Sequence, residues 1–228
     1  PEIYEKSDHL GGVFVEAGKA SFKGKLRELL CWYLKEIEDL GVPVHLNCEV
    51  NDLKALGADE VVIATGSKAR KLPIKGFEKG LEAVDYLKGK EVGETVAVIG
   101  GGLTGSEIAY ELALEGKKPF IVEMKNDLVA QKGVCMANSQ YLRDYFALHK
   151  TPVYLESALD EIKDGSIVIK HKDGKKEEIP CDSVILSLGY VSTPLFKEDK
   201  HTHLVGDCLR VGNLRTVIWR AYEVAMKI

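Results

Sequence analysis

A glycine-rich turn between an apolar run and a helical pattern constrains this chain more than any other feature. Residues 95–124 read TVAVIGGGLTGSEIAYELALEGKKPFIVEM. The β-branched run from Val96 to Ile99 predicts a strand buried on both faces of a parallel sheet. Apolar residues at helical spacing predict a helix over 106–114, which Gly116 ends. Three glycines at G-x-G-x-x-G spacing join strand and helix: Gly100, Gly102 and Gly105.

This spacing predicts a dinucleotide-binding unit. The first glycine allows the tight turn, the second lets the backbone approach a pyrophosphate, and the third lets the helix lie close to the strand. The free N–H groups at the start of the helix can then meet phosphate. The predicted cofactor-binding residues of the turn are Gly100, Gly101, Gly102, Leu103, Thr104 and Gly105.

An acidic residue follows the next predicted strand. Phe120 to Val122 forms that strand, and Glu123 comes after the first glycine at about the 20-residue offset expected for a ribose-binding acid. A carboxylate there accepts hydrogen bonds from a ribose 2′-hydroxyl and repels a 2′-phosphate, so we expect NAD(H) rather than NADP. Lys125 partly offsets that repulsion. The alternative interpretation is that Glu123 is only a solvated charge at a strand end.

Composition excludes several other classes of function. The chain has 228 residues, enough for one large or two modest domains, and a net charge of −4 with acids and bases interspersed. We therefore expect no nucleic-acid partner and no membrane partner. No apolar run reaches the ~20 residues of a bilayer span, and the first residues lack a signal pattern, so a cytoplasmic location is expected.

The cysteines and histidines give little sign of metal or redox chemistry. The five cysteines show no C-x-x-C spacing, which argues against a redox-active dithiol and a local iron–sulfur site. His201 and His203 alternate without an attached cluster of carboxylates or thiolates, so we interpret them as surface or strand residues. No metal ligand and no catalytic side chain is predicted.

The rest of the chain predicts further α/β structure. Residues 2–5 are strand-like and end in an acid, and residues 68–94 form a polar crossing between domains. Turn chemistry at Asp173 and Gly174 predicts a hairpin of 167–170 and 176–179. Other helices are predicted over 22–40, 137–149 and 214–227, and other strands over 42–46, 61–65, 183–188 and 202–205.

Five motifs together resemble one family of flavoproteins. They are IYEKSDHLGG at 3–12, VVIATGS at 61–67, VAVIGGGLTGSEIA at 96–109, VILSLGY at 184–190 and HLVGDC at 203–208. Their order is similar to that in flavoproteins with two dinucleotide-binding domains. Within that group the chain resembles the carboxy-terminal region of the 2,4-dienoyl-CoA reductase, enoate reductase and NADH:flavin oxidoreductase family. The segments LGVPVHLNCEV and KGKEVGETVAVIGGG carry the closer likeness.

The resemblance implies a second cofactor site, for FAD. Glu5 corresponds to the acid that binds the adenosine ribose of FAD, and Thr65 with Gly66 to a turn close to that nucleotide. Asp207 resembles the aspartate that hydrogen-bonds the ribitol, and the amides near 214–216 would approach the flavin or pyrophosphate. The alternatives are a cap for Asp207 and a plain tight turn for Thr65 and Gly66.

The resemblance also implies the domain organisation. We expect an α/β fold in which a Rossmann-like, three-layer NAD(P)-binding domain, 77–189, is inserted into an incomplete FAD-type domain, 1–76 and 190–228. The family's first flavin-binding strand and its glycine loop would precede Pro1, so an N-terminally truncated piece of a longer enzyme with weakened FAD binding is expected. The amino-terminal FMN barrel, a partner of this region, and the iron–sulfur cluster are expected only in that parent.

Three functions are open at this stage. The first is an electron-input module that transfers hydride from NAD(P)H to FAD, so that the parent reduces an enoyl or enoate-type substrate. The second is a NAD-binding scaffold without activity. The third is a disulfide reductase, against which the absence of a paired-cysteine motif counts.

Overall fold

A computed structural model describes all residues 1–228, with six helices and fourteen strands. The helices are α1 (Val13–Ala17), α2 (Gly24–Asp39), α3 (Ala83–Leu87), α4 (Leu103–Leu114), α5 (Met136–Leu148) and α6 (Leu214–Ala225). The first seven strands are β1 (Ile3–Tyr4), β2 (Val44–His45), β3 (Val61–Ile63), β4 (Ser67–Ala69), β5 (Leu81–Glu82), β6 (Thr95–Ile99) and β7 (Lys118–Val122). The others are β8 (Val153–Tyr154), β9 (Ser157–Lys163), β10 (Ser166–His171), β11 (Lys176–Pro180), β12 (Ser183–Leu186), β13 (Tyr190–Ser192) and β14 (Thr202–Leu204).

The chain divides into two compact units. The first contains residues 1–8, 43–71 and 189–228, and the second contains 9–42 and 72–188. The predicted cofactor domains instead placed 9–42 with 1–76. Contacts with α4 account for the difference, because Ser21 donates two hydrogen bonds to Glu111 and Lys23 pairs with Glu107. Compactness does not test which residues bind which cofactor, so the domain assignment stays a prediction.

A five-stranded parallel sheet forms the centre of the second unit, in the order β5-β12-β6-β7-β8. Alternate residues of β6 point to opposite faces of the sheet. Val96 and Val98 belong to a core shared with α4 and α5, whereas Ala97 and Ile99 belong to a core shared with β9, β10 and β11. Because both faces are covered, the residues of β6 from Val96 to Ile99 are all apolar, and the three-layer α/β expectation is confirmed.

The outer layer on one face is the antiparallel meander β9, β10, β11. The predicted hairpin is β10 and β11, and its turn closes with Gly174 at φ +87° and the Lys175 amide on the Asp173 carboxylate. Strand β9 was not predicted, since its sequence SALDEIK places acids among its few apolar residues. Only Leu159 and Ile162 of its large side chains are buried, in the core under the sheet.

The first unit contains short strand pairs and one helix. β1 pairs with β2 and β3 with β14, both in parallel, whereas β4 and β13 pair antiparallel. Ile63, Leu204 and Cys208 form its small buried core. α6 begins with a capping box between Asn213 and Thr216. None of the chain's six helices is long and apolar enough to cross a bilayer.

Candidate dinucleotide-binding sites

The turn between β6 and α4 requires glycine at its first position. Gly100 has φ +105°, in the left-handed region where a side chain is strained. A Cβ on Gly100 would also stand 2.2 Å from the carbonyl oxygen of Ser187 on the neighbouring segment after β12. The chain therefore turns sharply here and passes close to the next strand's end.

The third glycine of the spacing allows α4 to lie directly on this turn. A Cβ on Gly105 would be 1.9 Å from the carbonyl oxygen of Gly100. The second glycine is different, because a Cβ on Gly102 would meet only the Gln131 side chain, at 3.4 Å. Gly102 thus faces space into which a ligand can come close to the backbone, as a pyrophosphate would require.

The start of α4 offers backbone donors to an anion. The first amides of a helix have no acceptor within the helix, and here they belong to Leu103, Thr104 and Gly105. Gly102 caps the helix without a side-chain hydrogen bond to them. The helix dipole adds partial positive charge at the same point. The accessible backbone of Gly102, next to these donors, fits a phosphate group.

Glu123 reaches this turn from the end of β7. Its Oε2 accepts a hydrogen bond of 2.6 Å from the Gly101 amide, and its Oε1 accepts one of 2.8 Å from the Lys125 amide. The side chain is half-buried, with its Cβ 3.0 Å from where a Cβ on Gly101 would lie. The carboxylate is therefore held at the turn by two backbone amides. Its contact with a ribose stays a prediction.

The connection from β7 to α5 also contacts the turn, which sequence reasoning missed. The Val129 amide donates to the carbonyl oxygen of Gly101 at 2.8 Å. The Leu128 side chain lies so close that a Cβ on Gly101 would be 2.4 Å from its Cδ2. Arg143 on α5 donates to the Leu128 carbonyl and to Asp127. No motif signals these residues, because they meet the turn only through the tertiary fold.

The predicted FAD residues lie in the first unit. Glu5 directly follows β1, and its carboxylate accepts hydrogen bonds of 2.7 Å from both the amide and the hydroxyl of Ser7. Thr65 and Gly66 follow β3, with Thr65 exposed and Gly66 at φ +75°. These residues thus stand at the carboxyl ends of parallel strands, where open α/β sheets bind ligands.

Asp207 links two loops of the same unit. It lies in a 3₁₀ turn after β14, and its Oδ2 accepts from the Ser67 hydroxyl at 3.2 Å. Its Oδ1 accepts from the Gly212 amide at 3.0 Å, whereas the N-cap of α6 is Asn213, so both the ribitol contact and the capping role of Asp207 stay predictions. Of the amides near the start of α6, that of Thr216 already donates to Asn213. The amides of Leu214 and Arg215 have no acceptor within the helix.

The two histidines share one carboxylate. His201 Nδ1 and His203 Nε2 each lie 2.8 Å from an oxygen of Glu60. No group of three or more histidine, cysteine, aspartate and glutamate side chains is arranged to hold a metal ion. All five cysteines are free thiols, two of them buried.

The sequence profile of one protein family matches residues 34–207, described as pyridine nucleotide-disulphide oxidoreductase. The chain belongs to this family. Membership supports FAD and NAD(P)H binding, and it agrees with the turn, helix and strand-end acids described above.

The relatives of this chain include longer oxidoreductases. The chain is 39% identical to cinnamate reductase of Clostridium sporogenes, over 99% of this chain and 35% of the relative. It is 30% identical to NADH oxidase of Thermoanaerobacter brockii, over 99% of this chain and 37% of the relative. The chain thus spans about a third of these proteins' length. They agree with the resemblance to enoate reductase-like flavoproteins.

Solved structures show the same fold. A 2-naphthoyl-CoA reductase in complex with 2-naphthoyl-CoA superposes with a TM-score of 0.86 at 26% identity, over 100% of this chain and 36% of that one. A T. acidophilum thioredoxin reductase superposes with a TM-score of 0.74 at 18% identity, over 99% of this chain and 88% of that one. The second likeness concerns the fold alone.

Proposed function

We propose that this chain binds NADH and FAD as the electron-input part of a longer flavin-dependent oxidoreductase. The observation that carries the proposal is the turn at Gly100 to Gly105, which combines the accessible backbone of Gly102 with helix amides that lack acceptors and with a fixed acid, Glu123. Family membership supports binding of both cofactors. The bound cofactors supply the hydride-transfer chemistry, and the protein supplies binding and orientation.

Different residues of the second unit are proposed to bind different parts of NADH. The α4 amides compensate the pyrophosphate charge, and Gly102 leaves room for it. The Glu123 carboxylate orients the adenosine ribose by accepting from its hydroxyls. The same negative charge disfavours the 2′-phosphate of NADPH, so NADH is the proposed donor.

The first unit is proposed to hold FAD. Glu5 would accept from the adenosine ribose of FAD, next to the turn at Thr65 and Gly66, and Asp207 would accept from the ribitol. The hydrogen bonds of Asp207 to Ser67 and Gly212 hold its carboxylate at the start of the segment leading to α6. No side chain is proposed as acid or base, because the cofactors would supply the redox chemistry when bound.

The substrate class is proposed from the relatives. Cinnamate reductase and 2-naphthoyl-CoA reductase are named for an unsaturated acid and an aromatic thioester. We propose that the whole protein reduces an enoyl or enoate-type substrate, and that FMN and an iron–sulfur cluster carry electrons onward in its other parts. The free cysteines show no closely spaced pair for disulfide chemistry.

Anaerobic titration tests the proposal. The purified chain is mixed with FAD, and NADH or NADPH is added while the absorbance of oxidised flavin is followed. Bleaching by NADH at lower concentration than by NADPH is the expected result. Binding of NADH without flavin reduction would leave the scaffold function instead. If neither nucleotide binds, the proposal is wrong.

A further inference from the structure

The backbone of Gly101 is held on both sides by hydrogen bonds. Its N–H donates to Glu123, and its carbonyl oxygen accepts from the Val129 amide at 2.8 Å and from the Ser106 hydroxyl at 3.2 Å. Gly101 lies between the first two glycines of the phosphate-binding spacing, so its peptide orientation sets where the neighbouring amides point. Val129 lies outside the segment β6–turn–α4, in the connection between β7 and α5.

Val129 makes this contact from a strained conformation. It has φ +50°, and a β-branched residue in the left-handed region is a genuine outlier. Such residues cost free energy and persist only where the surroundings over-determine them, most often at functional sites. Val129 and its neighbour Leu128 are 3% and 4% exposed, against the glycine turn and the helices.

Arg143 supplies the restraint. Its guanidinium forms a two-pronged pair with the Asp127 carboxylate, Nε to Oδ1 at 2.9 Å and Nη2 to Oδ2 at 2.8 Å. Nη2 also donates to the Leu128 carbonyl at 2.6 Å. Three contacts from a planar fork therefore fix the two residues that precede Val129, which a lysine could not reproduce.

We infer that Arg143 is a positioning residue of the dinucleotide site, which holds Val129 in its left-handed turn so that the Val129 amide fixes the Gly101 peptide. The inference rests on the proposed function, since the site it serves is the NADH site. Arg143 acts through Asp127, Leu128 and Val129 and touches no nucleotide in this role.

A rescue experiment tests this mechanism. NADH and ADP-ribose binding are measured by calorimetry on the unaltered chain and on Arg143→Gln, Val129→Gly and the double variant. Arg143→Gln should raise both dissociation constants about tenfold, the scale of losing charge-assisted hydrogen bonds. Val129→Gly alone should raise them less than Arg143→Gln does, because glycine adopts positive φ freely and keeps the amide donor. In the double variant most of the loss should be restored.

Hydrogen exchange gives a second readout without ligand. The Val129 amide should exchange faster in Arg143→Gln than in the unaltered chain, and slower again in the double variant. Lys163→Gln is the matched control, since it removes one cation from an ion pair with Glu178 in the meander of the same unit. Its nucleotide binding should equal that of the unaltered chain.

The outcomes separate the inference from the function beneath it. If the unaltered chain binds neither NADH nor ADP-ribose, the proposed function fails, and the positioning role falls with it. If the unaltered chain binds and Arg143→Gln binds equally well, only the inference is overturned. A binding loss that Val129→Gly does not rescue also overturns it, because Arg143 would then act by stability or by direct contact.

Discussion

The Glu123 carboxylate accepts a hydrogen bond of 2.6 Å from the backbone N–H of Gly101, which ties the end of β7 to the turn after β6. β6 and β7 are neighbours in the parallel sheet, in register from Thr95 with Lys118 to Ile99 with Val122. Their carboxyl ends therefore meet at one edge. The acid and the glycine turn are thus joined in one hydrogen-bonded group.

Replacing Glu123 by glutamine should change the choice of nucleotide. Glutamine keeps one oxygen, which can accept from either the Gly101 or the Lys125 amide, and it loses the charge that we propose favours ribose hydroxyls and repels phosphate. We expect Glu123→Gln to weaken NADH binding about tenfold, as for loss of a hydrogen bond to a charged group, and to strengthen NADPH binding. Fluorescence titration with both nucleotides measures this. The exposed Glu91, changed to glutamine, is the matched control, and equal shifts in both variants would contradict the prediction.

Alanine at two glycines of the turn should separate folding from binding. Gly105→Ala places a Cβ 1.9 Å from the Gly100 carbonyl oxygen, so the free energy of unfolding should fall by about 1–3 kcal/mol or more. Gly102 has φ −67°, which alanine adopts, and Gly102→Ala should change stability by less than about 1 kcal/mol.

NADH binding should be sensitive to the Gly102 change, which leaves the stability of the protein nearly unaltered. In Gly102→Ala the new Cβ would stand where we propose that the pyrophosphate approaches, so the dissociation constant should rise at least about tenfold although the protein folds. Urea unfolding and calorimetry on both variants check the pair. Normal NADH binding by Gly102→Ala would show that the nucleotide does not approach this backbone.

The contribution of residue 207 to the stability of the first unit should depend on how many hydrogen-bond acceptors its side chain offers. Asp207→Ala leaves the Ser67 hydroxyl and the Gly212 amide without this acceptor, which should lower the free energy of unfolding by about 1–3 kcal/mol. Asp207→Asn keeps one carbonyl oxygen and should cost less. FAD titration of Asp207→Asn should nevertheless show weaker binding. The exposed Glu49, changed to alanine, serves as control, and an equal loss there would contradict a specific role.

The pair of His201 with Glu60 should make stability depend on pH. The hydrogen bond to Glu60 raises the pKa of His201, with Asp199 and Asp59 adding to it, whereas the hydrogen bonds from His201 and His203 lower the pKa of Glu60. The His201 contribution is fully present below its ordinary pKa of 6.5 and is lost as pH rises through the raised value. The Glu60 contribution is present above 4.5 and is lost as pH falls through the lowered value.

The stabilisation by the pair of His201 and Glu60 is therefore complete between pH 4.5 and pH 6.5, the ordinary pKa values of the two groups. His201→Gln should lower the melting temperature more at about pH 5.5 than at about pH 8.5. In a Glu60→Gln background the effect of the same change should depend on pH less steeply, because only the charges of Asp199 and Asp59 then raise the pKa of His201. A His201→Gln effect that grows toward alkaline pH would show the opposite sign and disprove the pairing as the cause.

Local sequence was sufficient to predict the segments whose structure depends on residues close to one another in the chain. The segment β6–turn–α4–β7 could be predicted because glycines, β-branched runs and helical apolar stripes each constrain the backbone within a few residues. The hairpin of β10 and β11 followed from Asp173 and Gly174 for the same reason. β9 was missed, because its burial depends on the sheet it covers and not on its own polar pattern.

The sequence by itself determined the α/β class, the glycine turn and the acid at the end of β7, since backbone sterics and strand spacing dictate these locally. Only the tertiary structure decided that residues 9–42 pack with the second unit, and that Arg143 holds Val129 against Gly101. These contacts join segments far apart in the chain, and the side chains involved carry no spacing or propensity that marks their partners. Their geometry exists only after the sheet has brought the segments together.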